Sequence, residues 1–207
     1  MRLFLALDID DMIRDRIRTF QEGVRGFAPD ARWARPESMH VTLKFIGERP
    51  SAFVDRIRTS LARAATAPFE ISFRGYGFFP SQKAPRVFWV GIQAGPELST
   101  LAANVDEATA KLGAPPDDHP FSPHLTLARR GGGSGVPHWR KGDAANPTFQ
   151  HLSEKLAARP SPDFGTMTAR EFFLYESKLS PEGSRYSKLE HFPLLEEKPA
   201  DKTSHTS

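Results

Sequence analysis

HVTL at residues 40–43 and HLTL at residues 124–127 place two of the chain's seven histidines in one tetrapeptide frame, 84 residues apart. Along a strand, residues i and i+2 share a face. His40 and Thr42 would therefore point one way while Val41 and Leu43 anchor the other side. His124 and Thr126 repeat the arrangement over Leu125 and Leu127. A duplicated strand of this kind decides the fold, because it implies two related halves that bring matching faces together.

The sequence around the two tetrapeptides carries the same order twice. RLFLAL is a short apolar strand, and Asp10 is placed to cap a helix with Ile13, Ile17, Phe20 and Val24 on one face. MHVTLKFIG reads as a strand ending at Gly47. Ser51 after Pro50 opens a helix with Phe53, Val54, Ile57 and Leu61 inward, stopped by Pro68. FEISFRGYGFF alternates as a strand does. From Arg86 the order restarts: the strand RVFWVGI, then a helix with Leu98, Leu101, Val105 and Leu112 inside and Gly113 at its end. HLTLAR follows, then a helix opened by Asn146 and Pro147 that carries Phe149, Leu152 and Leu156. REFFLYES and RYSKLEHF close the series as strands. A shift of 84 also carries Phe4 onto Phe88 and Ile17 onto Leu101. The reading predicts a strand–helix–strand–helix–strand unit used twice, as two similar lobes that each bring a His-Thr strand to the cleft between them. Residues 1–194 then form one bilobal domain. The Gly-rich stretch 131–135 reads as a surface loop and is not a P-loop, since no Gly-Lys-Ser/Thr follows it. Residues 195–207 lack apolar periodicity and read as a disordered tail.

With 207 residues, 39% of them apolar, and 16 Phe, the chain is long and apolar enough to bury a core. It has no cysteine. Disulfides, thiol nucleophiles, Cys-based zinc sites and iron–sulfur clusters are thereby excluded, which fits a cytoplasmic location. MRLFLALDIDD has too short an apolar run for a signal peptide or a membrane span. A net charge of +3 and a pI near 9.3 are mildly basic, which suits a phosphate-bearing partner without specifying one.

Two facing His-x-Thr strands supply an acid, a base and two hydroxyl donors around one small anion. That set suits in-line displacement at phosphorus: one imidazole takes the nucleophile's proton and the other protonates the leaving oxygen. Such a reaction calls for no metal and no cofactor. A metal site would need a third ligand, and DDHP at 117–120 offers Asp117, Asp118 and His119, in a Pro-rich approach where acids commonly serve as turn residues. Arg129 lies five residues past His124, offset from that strand's face if pairing is regular. At the strand end it could hold a phosphate by its fork of donors. Arg32, Lys44, Arg130, Arg140 and Lys141 read as solvent-exposed groups around the same cleft. Phe4, Phe45, Trp33 and Trp89 read as core aromatics before base-stacking platforms; Phe45 is nevertheless carried as a substrate contact.

RWARPESMHVTLKFIGE, GYGFFPSQKAPRVFWVGI, FSPHLTLAR and FFLYESKLSPEGSRYSKLEHFPL resemble the RNA 2′,3′-cyclic phosphodiesterase family. That family belongs to the two-histidine phosphoesterases and is also known as LigT-like 2′-5′ RNA ligase. The resemblance spans residues 2–194. It implies an α+β fold of two antiparallel sheets flanked by helices, with a pseudo-twofold axis and a metal-free central cleft. Carried over by position, His40 resembles the proton donor to the leaving 3′ oxygen and His124 the base that activates water. Thr42, Thr126, Arg129 and Phe45 would hold the substrate. The implied partner is RNA with 2′,3′-cyclic phosphate ends, tRNA halves among them, handled by a monomer. The implied reaction yields a 2′-phosphomonoester, or a 2′-5′ linkage when a 5′-hydroxyl replaces water. A two-histidine enzyme acting on a small cyclic nucleotide or ADP-ribose cyclic phosphate is the nearest alternative, and a non-catalytic RNA-binding module is another.

Overall fold

A computed structural model of the chain describes residues 1–62, 66–131, 147–180 and 183–195. Most of the Gly-rich stretch, the Asn146 cap and the tail after Leu195 lie outside the described residues, as do Arg140 and Lys141. The first half runs β1 (Arg2–Leu7), α1 (Asp11–Val24), β2 (Arg32–Trp33), β3 (Val41–Glu48), α2 (Ala52–Leu61) and β4 (Phe69–Phe79). The second runs β5 (Val87–Ala94), α3 (Pro96–Ala110), β6 (His124–Arg129), α4 (Pro147–Ala157), β7 (Asp163–Ala169), β8 (Glu171–Ser180) and β9 (Gly183–Pro193). Two antiparallel sheets result, in the orders β3-β1-β8-β9 and β2-β6-β5-β4-β7.

These orders correct the picture of two lobes built from contiguous halves. Laid side by side, β3-β1-β8-β9 and β6-β5-β4-β7 correspond strand for strand across a pseudo-twofold axis. Each half sends its closing strands into the other's sheet: β4 lies beside β5, and β8, followed by β9, lies beside β1. Helices cross over too, since α1 packs on β7 and α3 packs on β3. The exchange closes both sheets against each other around one continuous core that runs from Leu3 and Leu5 to Phe88, Leu125 and Phe172. Burying one shared apolar interior leaves less exposed surface than two small cores would.

The helices follow their apolar spacing, with exceptions that bear on function. In α1 the buried face is Ile13, Ile17, Gln21 and Val24, so a glutamine takes a place next to the one expected for Phe20. Asp10 and Ser51 stand at the N-cap positions, but neither side chain makes a cap hydrogen bond. β7 and the two-residue β2 were not expected. Both are short or weakly apolar and owe their form to the strands they pair with.

Lys44, expected in solvent, is instead 1% exposed. Its Nζ donates to Pro115 O at 2.8 Å and faces Asp106 at 2.5 Å and Asp117 at 3.0 Å. Three acceptors match the three hydrogens of an ammonium group. The cluster ties β3 to α3 and to the segment approaching β6. Replacing Lys44 by Met is expected to cost about 2 kcal/mol. That is below the roughly 3–5 kcal/mol for breaking a fully buried pair, because both carboxylates still reach water. Thermal denaturation should show a melting temperature lower by about 4–8 °C. An unchanged melt would remove this role.

Candidate active site

A strictly alternating β3 would put Lys44 beside Thr42 and turn Phe45 into the core. The structure does the reverse, because Leu43 is an extra residue in the ladder with β1: Ala6 pairs with Thr42, and Leu5 with Lys44. Phe45 therefore emerges on the histidine side, 55% exposed, with its ring 5.9 Å from that of Phe4. β6 repeats the device. Leu127 is extra between the pairs Trp89–Thr126 and Phe88–Ala128. Arg129 is thereby turned onto the face of Thr126, and its Nη2 donates to Thr126 Oγ1 at 3.4 Å. The offset expected for Arg129 is corrected by this bulge, which re-aims the side chains that follow it. Leu43 and Leu127 are 84 residues apart, and so are Phe45 and Arg129. The carbonyl of Leu127 accepts from Ala34 N–H at 2.7 Å and from Gln21 Nε2 at 3.4 Å, which is why α1 buries a glutamine there.

The histidines are held alike. His40 Nδ1 lies 2.7 Å from Ser38 O, and His124 Nδ1 lies 2.8 Å from Ser122 O. A carbonyl oxygen only accepts, so Nδ1 carries the hydrogen and Nε2 is the atom that exchanges a proton. The repeat thus extends two residues further back, to Ser-x-His-x-Thr, a frame legible in the sequence once its use is seen. Around His40 stand Phe4 at 4.8 Å, Tyr186 at 5.2 Å and Tyr175 at 6.1 Å between ring centroids. Around His124 stand Phe79 at 4.9 Å and Trp89 at 6.4 Å. Tyr175 and Phe79 are counterparts, because Tyr175 pairs with Phe4 opposite Phe45 while Phe79 pairs with Val87 opposite Arg129.

Those pairings also correct the match of Phe4 with Phe88. Phe4 faces Phe45, but it is Val87 that faces Arg129, so the shift between β1 and β5 is 83. The second half has one more residue before its histidine strand, and a one-residue slip exchanges faces. Phe4 accordingly packs behind His40 in a small cluster with Ala6, Phe173 and Tyr175, while Phe88 lies in the main core.

Burial pushes His40 down to about 4, against the Ser38 hydrogen bond that favours the charged form; Arg129 and His124 push with burial and Asp8 against it. His124 is also lowered, by burial first and by Arg129, against its bond to Ser122. The charge of Arg129 thus bears on both imidazoles, as β3 and β6 lie in contact. Burial lowers Arg129 itself, with Arg32 and Arg2 adding to the effect and Tyr186 opposing it.

Of the remaining candidates, Arg32 is exposed and directly opposite Arg129 in the β2–β6 ladder, and Arg130 is exposed beyond the strand end. Trp33 is partly buried against the core, its Nε1 donating to Ala28 O at 3.0 Å. Trp89 lies flat over Gly77, where a Cβ would fall 2.1 Å from the ring. Its indole N–H is buried and has no acceptor among the described residues. Asp117 is engaged by Lys44, and no cluster of three His, Cys, Asp or Glu occurs among the described residues. A cavity of about 410 Å³ lined by Tyr76, Phe78, Gln82, Arg159 and Ser161 contains neither histidine; the two histidine strands meet elsewhere, where β3 lies against β6. No helix among the described residues is long and apolar enough to cross a membrane.

Known proteins share this fold. The family described as LigT like Phosphoesterase matches residues 7–89 and again 90–186, one match on each half and 83 residues apart at their starts. Fold and paired strands define a phosphoesterase of the two-histidine kind. The chain belongs to the LigT-like phosphoesterase family. The RNA 2′,3′-cyclic phosphodiesterase of Archaeoglobus fulgidus is 36% identical over 192 residues, covering 93% of this chain and 99% of that one. Its namesake from Methanothermobacter thermautotrophicus is 31% identical over 196 residues, covering 94% and 99%. Among solved structures, TT0787 of Thermus thermophilus superposes with a TM-score of 0.75 at 30% identity, covering 96% of this chain and all of the other. E. coli LigT complexed with 3′-AMP gives 0.73 at 25% identity, covering 94% and 98%.

Proposed function

We propose that this chain hydrolyses 2′,3′-cyclic phosphate ends of RNA to 2′-phosphomonoesters. The observation that supports this most is the pair of imidazoles, each fixed through Nδ1 to a serine carbonyl. Each stands beside a threonine hydroxyl on the same face of its strand. Relatives with RNA 2′,3′-cyclic phosphodiesterase names over nearly the whole chain support the choice of substrate.

In this reading His124 Nε2 takes a proton from water as its oxygen attacks phosphorus. The bond from phosphorus to the 3′ oxygen breaks, and His40 Nε2 delivers a proton to that oxygen. Charge that grows on the non-bridging oxygens is met by Thr42, Thr126 and Arg129, donors already placed before the reaction begins. The exposed ring of Phe45 offers a stacking surface to the terminal base. A 5′-hydroxyl in place of water would leave a 2′-5′ linkage by the same proton transfers, which makes tRNA halves a natural second substrate. Since a proton neutralises the leaving oxygen, no step calls on a Lewis acid.

The test is an oligonucleotide ending in a 2′,3′-cyclic phosphate, incubated with the protein in excess chelator. The expected product is a 2′-phosphate that resists a 3′-specific phosphatase. Loss of activity on chelation with recovery on adding zinc or manganese would defeat the mechanism, and a 3′-phosphate product would contradict the assignment of His40 to a leaving 3′ oxygen.

A further inference from the structure

We propose that Asp8 is the positioning residue that makes the two histidines unequal and gives the acid's role to His40. The inference rests on the reaction proposed above and names what assigns its two proton transfers.

Each imidazole is bonded through Nδ1 to a serine carbonyl, so those contacts cannot tell acid from base. The difference lies across the strands. The ladder of β1 with β3 reaches Leu7 and Val41, and the next residues along the two chains are Asp8 and His40. Asp8 also keeps the parity of Phe4 and Ala6, the cluster behind His40. On the other side it is Gly91 that pairs with His124. The 83-residue correspondence of β1 with β5 makes Asp8 and Gly91 counterparts. Gly91 has no room for a side chain, since a Cβ there would fall 2.3 Å from Arg74 O. A carboxylate is therefore present on the His40 side and barred from the matching place on the other.

That carboxylate is fixed. Its Oδ1 accepts from Ile9 N–H at 2.9 Å and from Arg14 Nη2 at 2.8 Å, and its Oδ2 accepts from Lys188 Nζ at 2.6 Å. Arg14 Nη2 also donates to Ile9 O at 2.9 Å, while Nη1 donates to Pro36 O at 2.7 Å and Met39 O at 3.5 Å. Those last two carbonyls bracket Ser38, whose own carbonyl holds His40. One guanidinium thus joins Asp8 to the turn that orients the imidazole.

The groups around His40 are Asp8 after β1, His124 and Arg129 on β6, Tyr175 on β8 and Tyr186 on β9. Arg14 on α1 and Lys188 on β9 face Asp8 itself. Burial works to raise the Asp8 carboxyl, but the bonds from Lys188, Arg14 and Ile9 outweigh it and keep it ionised. Burial takes the proton from both imidazoles, and Arg129 acts in the same direction on each. Asp8 is the charge that acts the other way on His40, and a nearby anion favours imidazolium.

The experiment measures kcat/KM against pH on an oligonucleotide ending in a 2′,3′-cyclic phosphate. Asp8→Asn keeps an oxygen for Arg14 and Ile9 but removes the charge. At neutral pH, above both lowered ionisations, the rate follows the fraction of His40 that carries a proton. It should fall about tenfold, equivalent to about one pH unit in where His40 holds that proton. One limb of the profile should move to lower pH while the other stays, and Asp8→Glu should recover part of the loss. In a His40→Ala background, Asp8→Asn should cost little more, because no imidazole is left to act on. Lys188→Gln, at a half-exposed position, unmasks the Asp8 charge and should move the same limb to higher pH, a direction that structural damage would not give. An unmoved profile in these variants, or a loss that persists in full without His40, would overturn the role of Asp8 alone. No turnover by the wild-type protein would overturn the proposed reaction and this role together.

Discussion

Replacing His40 by alanine should lower kcat by at least about 10²-fold, and replacing His124 should do the same, the usual range for an acid–base group. The double replacement should cost far less than the product of the two losses, since the groups act as a unit. The alanine variants of His119, His151 and His191 should stay within a few-fold. His119 is exposed, His151 packs edge-on against Phe27, and His191 faces Glu171. The pH dependence carries a sharper statement. The working form needs one charged and one neutral imidazole, so it is populated between the two ionisations. Both are lowered from the ordinary 6.5 in the unliganded protein. A lowered imidazole gives up its proton at lower pH, so kcat/KM, which reports the free enzyme, should be bell-shaped with its maximum below 6.5. A bound phosphodiester anion favours imidazolium, so the profile of kcat should be displaced toward higher pH. A kcat/KM maximum above about pH 7, or full activity without either histidine, would contradict the assignment.

Arg129→Met is expected to cost about 10²–10³ in kcat/KM, the range for one donor aimed at a growing oxyanion. A second readout distinguishes this from structural damage. The Arg129 cation acts against protonation of both histidines, so its removal should raise both ionisations and move the kcat/KM maximum to higher pH. Loss of activity with an unmoved profile would mean that Arg129 acts by packing alone. Arg129→Lys should keep the profile near that of the wild type and recover only part of the rate, since it preserves the charge without the bidentate geometry.

The candidate site was legible at the level of residues because the proposed reaction calls for particular side chains at a local spacing, and strand alternation is a local rule. His40, Thr42, His124 and Thr126 could be picked out for that reason. The apolar stripes Ile13, Ile17, Val24 and Leu98, Leu101, Val105 were legible in the same way, since helix periodicity is written in the chain itself. Asp10 and Ser51 marked the starts of helices correctly without forming the side-chain caps those residue types suggest.

What the chain does between distant segments was decided elsewhere. Nothing local marks Leu43 or Leu127 as an extra residue: a bulge exists only against a partner strand, here β1 and β5. Those two residues bring Phe45 and Arg129 to the site and send Lys44 into the interior. The 84-residue repeat is in the sequence, whereas the 83-residue correspondence of β1 with β5 needed the pairing to reveal it. Exchange of β4 and β8 between the sheets is likewise a property of the assembled core. Tyr175 and Tyr186 reach His40 only because β8 and β9 return to the first half's sheet. The sequence by itself determined which groups could react and which faces were apolar, because both are set within a turn or two of chain. Tertiary structure decided which of them meet, because cross-strand register and shared burial are settled among residues far apart in the chain, as Ala6 is from Thr42 and Phe4 from Tyr175.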